Sequence, residues 1–409
     1  MSTVAHDASR RDVLTIGLVG VAHGCSHFFQ LVLPPLFPFL TAEFGVSYTE
    51  LGILMTTFFV TSGVGQPLAG FLVDRIGARQ VMLAGLGIYS LAIFALALAP
   101  SFWVLFPAIV MAGLGNCVFH PADFAVLNAS VHRSRLGRAF GVHTLGGNLG
   151  WVAAPALVVP VAGVAGWRVA LATAAAVGAI IWLALWLNRR SLRDERDHAP
   201  AGAPAAAGIA QGLSLLASRP LLLCFGYFAL VAAALIAVQN FLSPILGSLH
   251  GTPLTVAASG LTAYLLGAAV GVMVGGVVAD RSDRHVAIVA AGLLGASLVF
   301  IAVAQLSFVA TALIATLAAG GFLSGFTNPS RDLIVRSATP RGASGRVFGF
   351  VYSGLDVGSA LAPITVGLLL DHGHPQWALW AIAGVLFAAI FTVVTLRGAI
   401  PSAARPSPV

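Results

Sequence analysis

Twelve apolar stretches, each long enough to cross a bilayer, run through a chain of 409 residues. A helix spanning the hydrocarbon core needs roughly 20 apolar residues. Such stretches are read at 13–40, 48–73, 80–99, 102–128, 137–163, 167–187, 220–248, 254–279, 285–306, 308–335, 345–370 and 376–397. Little is left from which to build a water-facing surface: 9% of the residues are charged, against about a quarter in soluble domains. Mean hydropathy is +0.95. These features exclude a soluble enzyme, a disordered chain and a nucleic-acid binder, despite a net charge of +7. The expected fold class is an all-α polytopic membrane protein in the lipid bilayer, with twelve transmembrane helices.

The positive charge has a topological origin. All 21 cationic residues are arginine, in short clusters between the apolar runs. Arg10 and Arg11, the Arg75/Arg79 loop, the Arg133/Arg135/Arg138 loop and the run from Arg189 to Arg196 fall on one side. So do Arg281/Arg284, Arg336/Arg341/Arg346, Arg397 and Arg405, while Arg168 stands alone opposite. By the positive-inside rule both termini are expected in the cytoplasm, in a bacterial-type inner membrane. The first stretch does not read as a cleaved signal, because it lacks a small-residue cleavage site and runs on through Pro34-Pro35. Cys25, Cys117 and Cys224 lie inside apolar runs without CxxC spacing, which indicates neither a disulfide framework nor a zinc site.

Internal repetition divides the chain. A six-helix bundle is expected over 1–187, a flexible linker over 188–219, a second bundle over 220–397 and a cytoplasmic tail over 398–409. The linker opens on a charged run and continues as Ala, Pro and Gly, a composition without means to pack. Gly137-Arg138-Ala139-Phe140-Gly141 recurs 208 residues on as Gly345-Arg346-Val347-Phe348-Gly349. At the same offset Pro121 falls on Pro329, Gly150 on Gly358 and Pro155 on Pro363. Asp74-Arg75 falls on Asp280-Arg281 at an offset of 206. Parallel six-helix repeats are the build of a transporter whose halves rock about a midplane site.

Local motifs add a family resemblance. Gly70-Phe-Leu-Val-Asp74-Arg75-Ile-Gly77-Ala-Arg79 resembles the loop signature of the major facilitator superfamily, and Gly276-Val-Val-Ala-Asp280-Arg281 resembles its weaker second copy. Phe119-His120-Pro121, Gly146-Gly147-Asn148-Leu149-Gly150 and Leu33-Pro34-Pro35-Leu36 resemble the fosmidomycin-resistance branch. The resemblance covers nearly the whole chain and implies a proton-driven antiporter for drug efflux by alternating access, acting as a monomer. It also implies that helices one, four, seven and ten line the cavity, with five, eight and eleven beside them. Many drug/proton antiporters carry an acid in helix one and an arginine in helix four. Here those stretches hold His23/His27 and Gly113-Leu-Gly115-Asn116, so any proton route differs.

The signature charges read as inner-gate locks. Asp74 can hold the N-terminus of an opposing helix through the macrodipole. Arg75 needs a carboxylate, and Asp123 is the nearest candidate; Arg281 and Asp332 are expected to repeat the pair. Gly147, Gly150 and Ala154, before Pro155, form a small-residue face that lets backbones approach.

Polar groups at membrane depth are candidates for function. His23, His27 and Gln30 form one stripe of helix one; Asn116, His120 and Asp123 have the same spacing in helix four. His143 and Asn148 lie in helix five, Asn328 and Arg331 in helix ten, and Tyr352 and Asp356 in helix eleven. Asp356 is the acid placed nearest the midplane, suited to bind and release a proton. An imidazole titrates near neutrality and suits proton relay or anion binding. His23-X-X-X-His27 is a possible half of a metal site, but with no third ligand at fixed spacing no metal and no cofactor are expected. His120-Pro121 predicts a kink in helix four.

The expected activity is proton-coupled export of small polar or anionic organic compounds. The alternative is a proton symporter or facilitator importing a metabolite such as a carboxylate or sugar. With no nucleophile–base set, the chain does not read as an enzyme.

Overall fold

A computed structural model of the chain describes residues 2–132, 135–192, 218–338 and 344–399. Among these residues twelve helices are long and apolar enough to cross a membrane. They are α1 (Arg11–Phe44), α2 (Tyr48–Ile76), α3 (Ala78–Ala97), α4 (Phe102–Ser130), α5 (Leu136–Ala165) and α6 (Trp167–Leu187), then α7 (Arg219–His250), α8 (Leu254–Ala279), α9 (His285–Gln305), α10 (Ala310–Val335), α11 (Ser353–Asp371) and α12 (Pro375–Leu396). No strand occurs among the described residues. Most of the tail expected over 398–409 and most of the linker expected over 188–219, with Arg341 and Arg405, lie outside them. Side chains such as Val164, Phe71 and Trp103 are exposed, as befits a surface solvated by acyl chains rather than water.

Packing divides the chain into two compact units: Met1–Ser47 with Ile53–Gly202, and Tyr48–Gly52 with Ala203–Val409. Inside the first, α1 packs on α5, and α3 on α4 and α6. Inside the second, α7 packs on α11 and α12, α8 on α10, and α9 on α10 and α12. The pairs α1–α5 and α3–α6 are thus matched by α7–α11 and α9–α12, the structural form of the repeat.

Glycine sets the closest of these contacts. A Cβ on Gly24 would stand 2.9 Å from the Gly146 carbonyl oxygen, and Cβ atoms on Gly146 and Gly150 would collide with the carbonyls of Gly20 and Gly24. Gly354 and Gly358, 208 residues on, stand in the same way against the carbonyls of Phe225 and Ala229. Gly77 has another reason: its φ of 98° turns the chain sharply between α2 and α3 in a region that favours glycine. Gly70 meets nothing within 4 Å, so no steric demand explains it.

Prolines break two of the helices that carry polar residues, α4 and α10, while α5 and α11 run unbroken through theirs. α4 is helical over Leu105–Asn116 and Phe119–Ser130, with the break at Cys117–Val118 rather than at His120. The ring of Pro121 conflicts with the carbonyl four residues back, which puts the disruption one turn earlier than the dipeptide itself. α10 breaks in the same way at Thr327, ahead of Pro329.

Ends of both units are tied by carboxylates. Glu43 accepts from the Trp167 indole and the Arg168 guanidinium, and Arg168 also donates to the Ala99 carbonyl at 3.0 Å. Asp12 accepts from Arg135 at 2.8 Å. In the second unit the Asp371 carboxylate accepts from the amides of Tyr48 and Thr49, each at 2.8 Å.

Gly150→Val is expected to destabilise the folded chain by about 1–3 kcal/mol through overpacking. Gly163→Ala, where nothing lies within 4 Å, is expected to be neutral or to gain about 0.4–1 kcal/mol. Thermal unfolding in detergent checks the contrast; equal melting temperatures would contradict the close approach.

Candidate functional site

The polar residues of α1, α4 and α5 converge within the first unit. Asp123, fully buried on α4, accepts at Oδ2 from His23 Nδ1 of α1 at 3.0 Å and from His143 Nε2 of α5 at 3.1 Å. The rings of His23 and His143 stack, with centroids 3.6 Å apart and planes 22° apart. His120 lies 5.2 Å from His23 and 6.2 Å from His143 between centroids, and keeps an exposed face. His27 is 4.4 Å from His23 and stacks on Trp151 at 4.3 Å. The Trp151 indole in turn donates to Gln30 Oε1 at 2.9 Å.

Local backbone makes this crowding possible. A Cβ on Gly147 would stand 2.7 Å from His27 Nδ1 and 3.0 Å from His23 Cδ2, so the missing side chain is the space the rings occupy. The α1–α5 glycine contact brings His23 and His143 to stacking distance. The buried Asp123 Oδ1 nonetheless has no hydrogen-bond partner among the described residues, whereas buried polar atoms are usually satisfied.

The expected Arg75–Asp123 pair is not formed in this structure. Asp123 lies seven residues before the end of α4, about 10 Å deep at 1.5 Å rise per residue, and its partners are imidazoles. Arg75 is exposed at the last turn of α2. Likewise Asp332, expected opposite Arg281, is bonded to Arg331 Nε at 2.9 Å, and Arg281 is exposed. Asp74 and Asp280 are exposed and Arg79 is half-buried.

Other candidates lie apart from the histidines. Asn116 donates to Ser62 of α2 at 2.8 Å, and Asn148 is half-buried. In the second unit Arg331 also donates to Asn328 Oδ1 at 3.2 Å and sits 4.7 Å over the Phe228 ring. Asp356 is half-buried in α11, and among the described residues its carboxylate has no hydrogen-bond or ion-pair partner. The side chain of Tyr352 lies outside the described residues. Sequence reasoning missed Trp151, two turns beyond His143 on α5, although that spacing marks one helix face.

The repeat orders these residues. At the offset of 208, Asp123 corresponds to Arg331, His120 to Asn328, His143 to Val351 and Asn148 to Asp356. The glycine contacts match His23 with Phe228, since each precedes the residue whose carbonyl faces Gly150 or Gly358. The carboxylate–imidazole contact of one half therefore becomes a cation–π contact in the other.

Comparison with known proteins decides the family. The sequence profile of the Major Facilitator Superfamily matches residues 19–259 and 229–408. The chain belongs to the major facilitator superfamily. This superfamily member is 26% identical to the fosmidomycin resistance protein of Escherichia coli, over 87% of the chain and 86% of that protein. It is 27% identical to the chloramphenicol resistance protein of Streptomyces lividans, over 96% and 98% of the two chains. Among solved structures, a bacterial homologue of the human lysosomal transporter Spinster matches with a TM-score of 0.77, at 16% identity over 97% of this chain and 99% of that one. The nucleoside transporter NupG matches with a TM-score of 0.76, at 15% identity over 94% and 99%. This superfamily member is accordingly a multi-pass membrane transporter of small molecules, with relatives of the efflux type, and not an enzyme.

A double-mutant cycle separates the observed network from the expected lock. Asp123→Asn and His143→Gln are expected to couple by about 0.5–3 kcal/mol in unfolding stability. Asp123→Asn and Arg75→Ala are expected to add within about 0.3–0.5 kcal/mol. The reverse pattern, measured by thermal unfolding, would restore the lock.

Proposed function

We propose that the chain exports small polar or anionic organic compounds in exchange for protons, by alternating access. The observation that carries the reading is the carboxylate of Asp356, half-buried within α11 and without a partner among the described residues, in a chain with few acids inside its spans. A membrane-embedded acid is costly and is retained where it carries charge or a proton. Asp356 stands where the first half has the neutral Asn148, so the acid is peculiar to one half and not part of the repeated packing.

Cargo polarity is supported by the side chains at the matched positions. Within the second unit Arg331 and Asn328 in α10 supply a cation and an amide, and within the first unit His27 with Trp151 and Gln30 between α1 and α5 supply a stacking face and polar atoms. These groups suit oxygen-rich or anionic compounds better than large lipophilic cations. The resistance functions for which two relatives are named support export over import. Arginine distribution supports cytoplasmic termini in an inner membrane, and the protein is proposed to act as a monomer.

In proteoliposomes the Asp356→Asn variant is expected to lose gradient-driven transport while retaining cargo binding or exchange and a wild-type melting temperature. Fosmidomycin and chloramphenicol are the first compounds to test. Wild-type gradient dependence in a well-folded Asp356→Asn protein would remove Asp356 from coupling. Proton-driven uptake in place of efflux would establish the symport alternative. A reporter fused after Arg190 is expected to read cytoplasmic, and one after His372 external; the opposite readings would invert the orientation.

A further inference from the structure

We propose that His23, His120 and His143, backed by Asp123, form a binding site for one transition-metal dication of the imidazole-preferring class, such as Zn2+, Co2+ or Ni2+. One ring nitrogen from each of the three histidines lies within 4.8 Å of the other two. The ligands come from α1, α4 and α5, which no spacing along one helix could reveal. The His23-X-X-X-His27 pair that suggested half a site is not the ligand pair: His27 is turned onto Trp151, and His120 and His143 supply the second and third nitrogens.

Four features distinguish the group from histidines that merely satisfy a buried acid. Three imidazoles make the protein's part of a tetrahedral site whose fourth position is open to water, and borderline dications prefer such donors. Asp123 holds one nitrogen of His23 and one of His143, the carboxylate–histidine arrangement that orients metal ligands. Its second oxygen, Oδ1, is buried and has no partner, so the acid's bonding capacity is not used up by the two rings. His120 keeps an exposed face, so one of the three ligands is not enclosed by the protein. Tetrahedral imidazoles about 2.0–2.1 Å from a metal have nitrogens roughly 3.4 Å apart. The three ligand nitrogens, within 4.8 Å of one another in the metal-free chain, draw together to that spacing when the ion binds. The site depends on neither the identity of the cargo nor the role of Asp356.

The test uses the full chain purified without a polyhistidine tag, stripped by chelator and titrated with Co2+, whose visible absorption reports tetrahedral coordination. One Co2+ per chain is expected, with that spectrum. His120→Gln, at an exposed position where folding is safe, is expected to weaken Co2+ at least about tenfold, and Asp123→Asn about 10–100-fold. His250→Gln, whose ring in the native chain contacts the Val303 carbonyl, is expected to change nothing. Melting temperatures of the metal-free variants confirm that each is folded. Absence of a tetrahedral Co2+ spectrum in the native chain would overturn the proposal. Equal affinity in the native chain and in folded His120→Gln would overturn it as well.

Discussion

The contact between α1 and α5 is what the rest of the first unit depends on. At Gly20, Gly24, Gly146 and Gly150 the two backbones touch, carbonyl against Cα. In lipid there is no hydrophobic drive between helices, so close packing through small residues carries the association. The same approach sets the polar chemistry. His23 and His27 lie beside or within one turn of Gly24, and His143 and Gly147 beside or within one turn of Gly146. Rings borne by such helices must meet, and the stack of His23 on His143 at 3.6 Å follows. Widening the contact by a single methyl would separate the rings and leave Asp123 short of partners where unpaired polar atoms are expensive.

The fold was largely legible in the sequence because lipid simplifies the code. A span must be apolar, near a fixed length and helical, so the twelve runs coincide with the twelve helices to within a few residues at most ends. The break in α4 was visible as a proline, and its position follows from the carbonyl four residues back; the matching break in α10 was not read from the sequence. Residue types at the site were legible too, since an ionisable group in a span announces itself. The faces were not. Asp123 was assigned to Arg75 by depth alone, and depth says nothing about which neighbour a helix face meets. Trp151 escaped notice because an aromatic residue in an apolar run carries no signal of its own. Glu43 escaped because its partners, Trp167 and Arg168, are more than a hundred residues away.

Duplication explains why the two halves resemble one another in contact and differ in chemistry. α4 meets α1 as α10 meets α7, and the positions that touch are equivalent. The touching groups are a carboxylate with an imidazole in one half, and a guanidinium with a phenyl ring in the other. Backbone contact through glycine is hard to alter without losing the bundle, whereas the side chains it brings together can be exchanged as long as each new pair is satisfied. The repeat thus keeps which positions touch and leaves the side chains at them, polar or apolar, free to vary.

That freedom bears on which acid can serve a transport cycle. Asp123 is pinned by two hydrogen bonds to imidazoles in a fully buried place. A change of charge there would disturb bonds worth about 1.5–3 kcal/mol each when one partner is ionised, and with them the stack that joins α1 to α5. Asp356 has no such bonds to lose among the described residues. A group that alternates between two states in every cycle must not be held in one of them by its surroundings, because a ligand shifts an equilibrium only by its differential affinity for the two states. On this ground the proposed coupling is assigned to the loosely held acid of the second half. The tightly held acid of the first half is suited instead to holding histidines in a fixed arrangement.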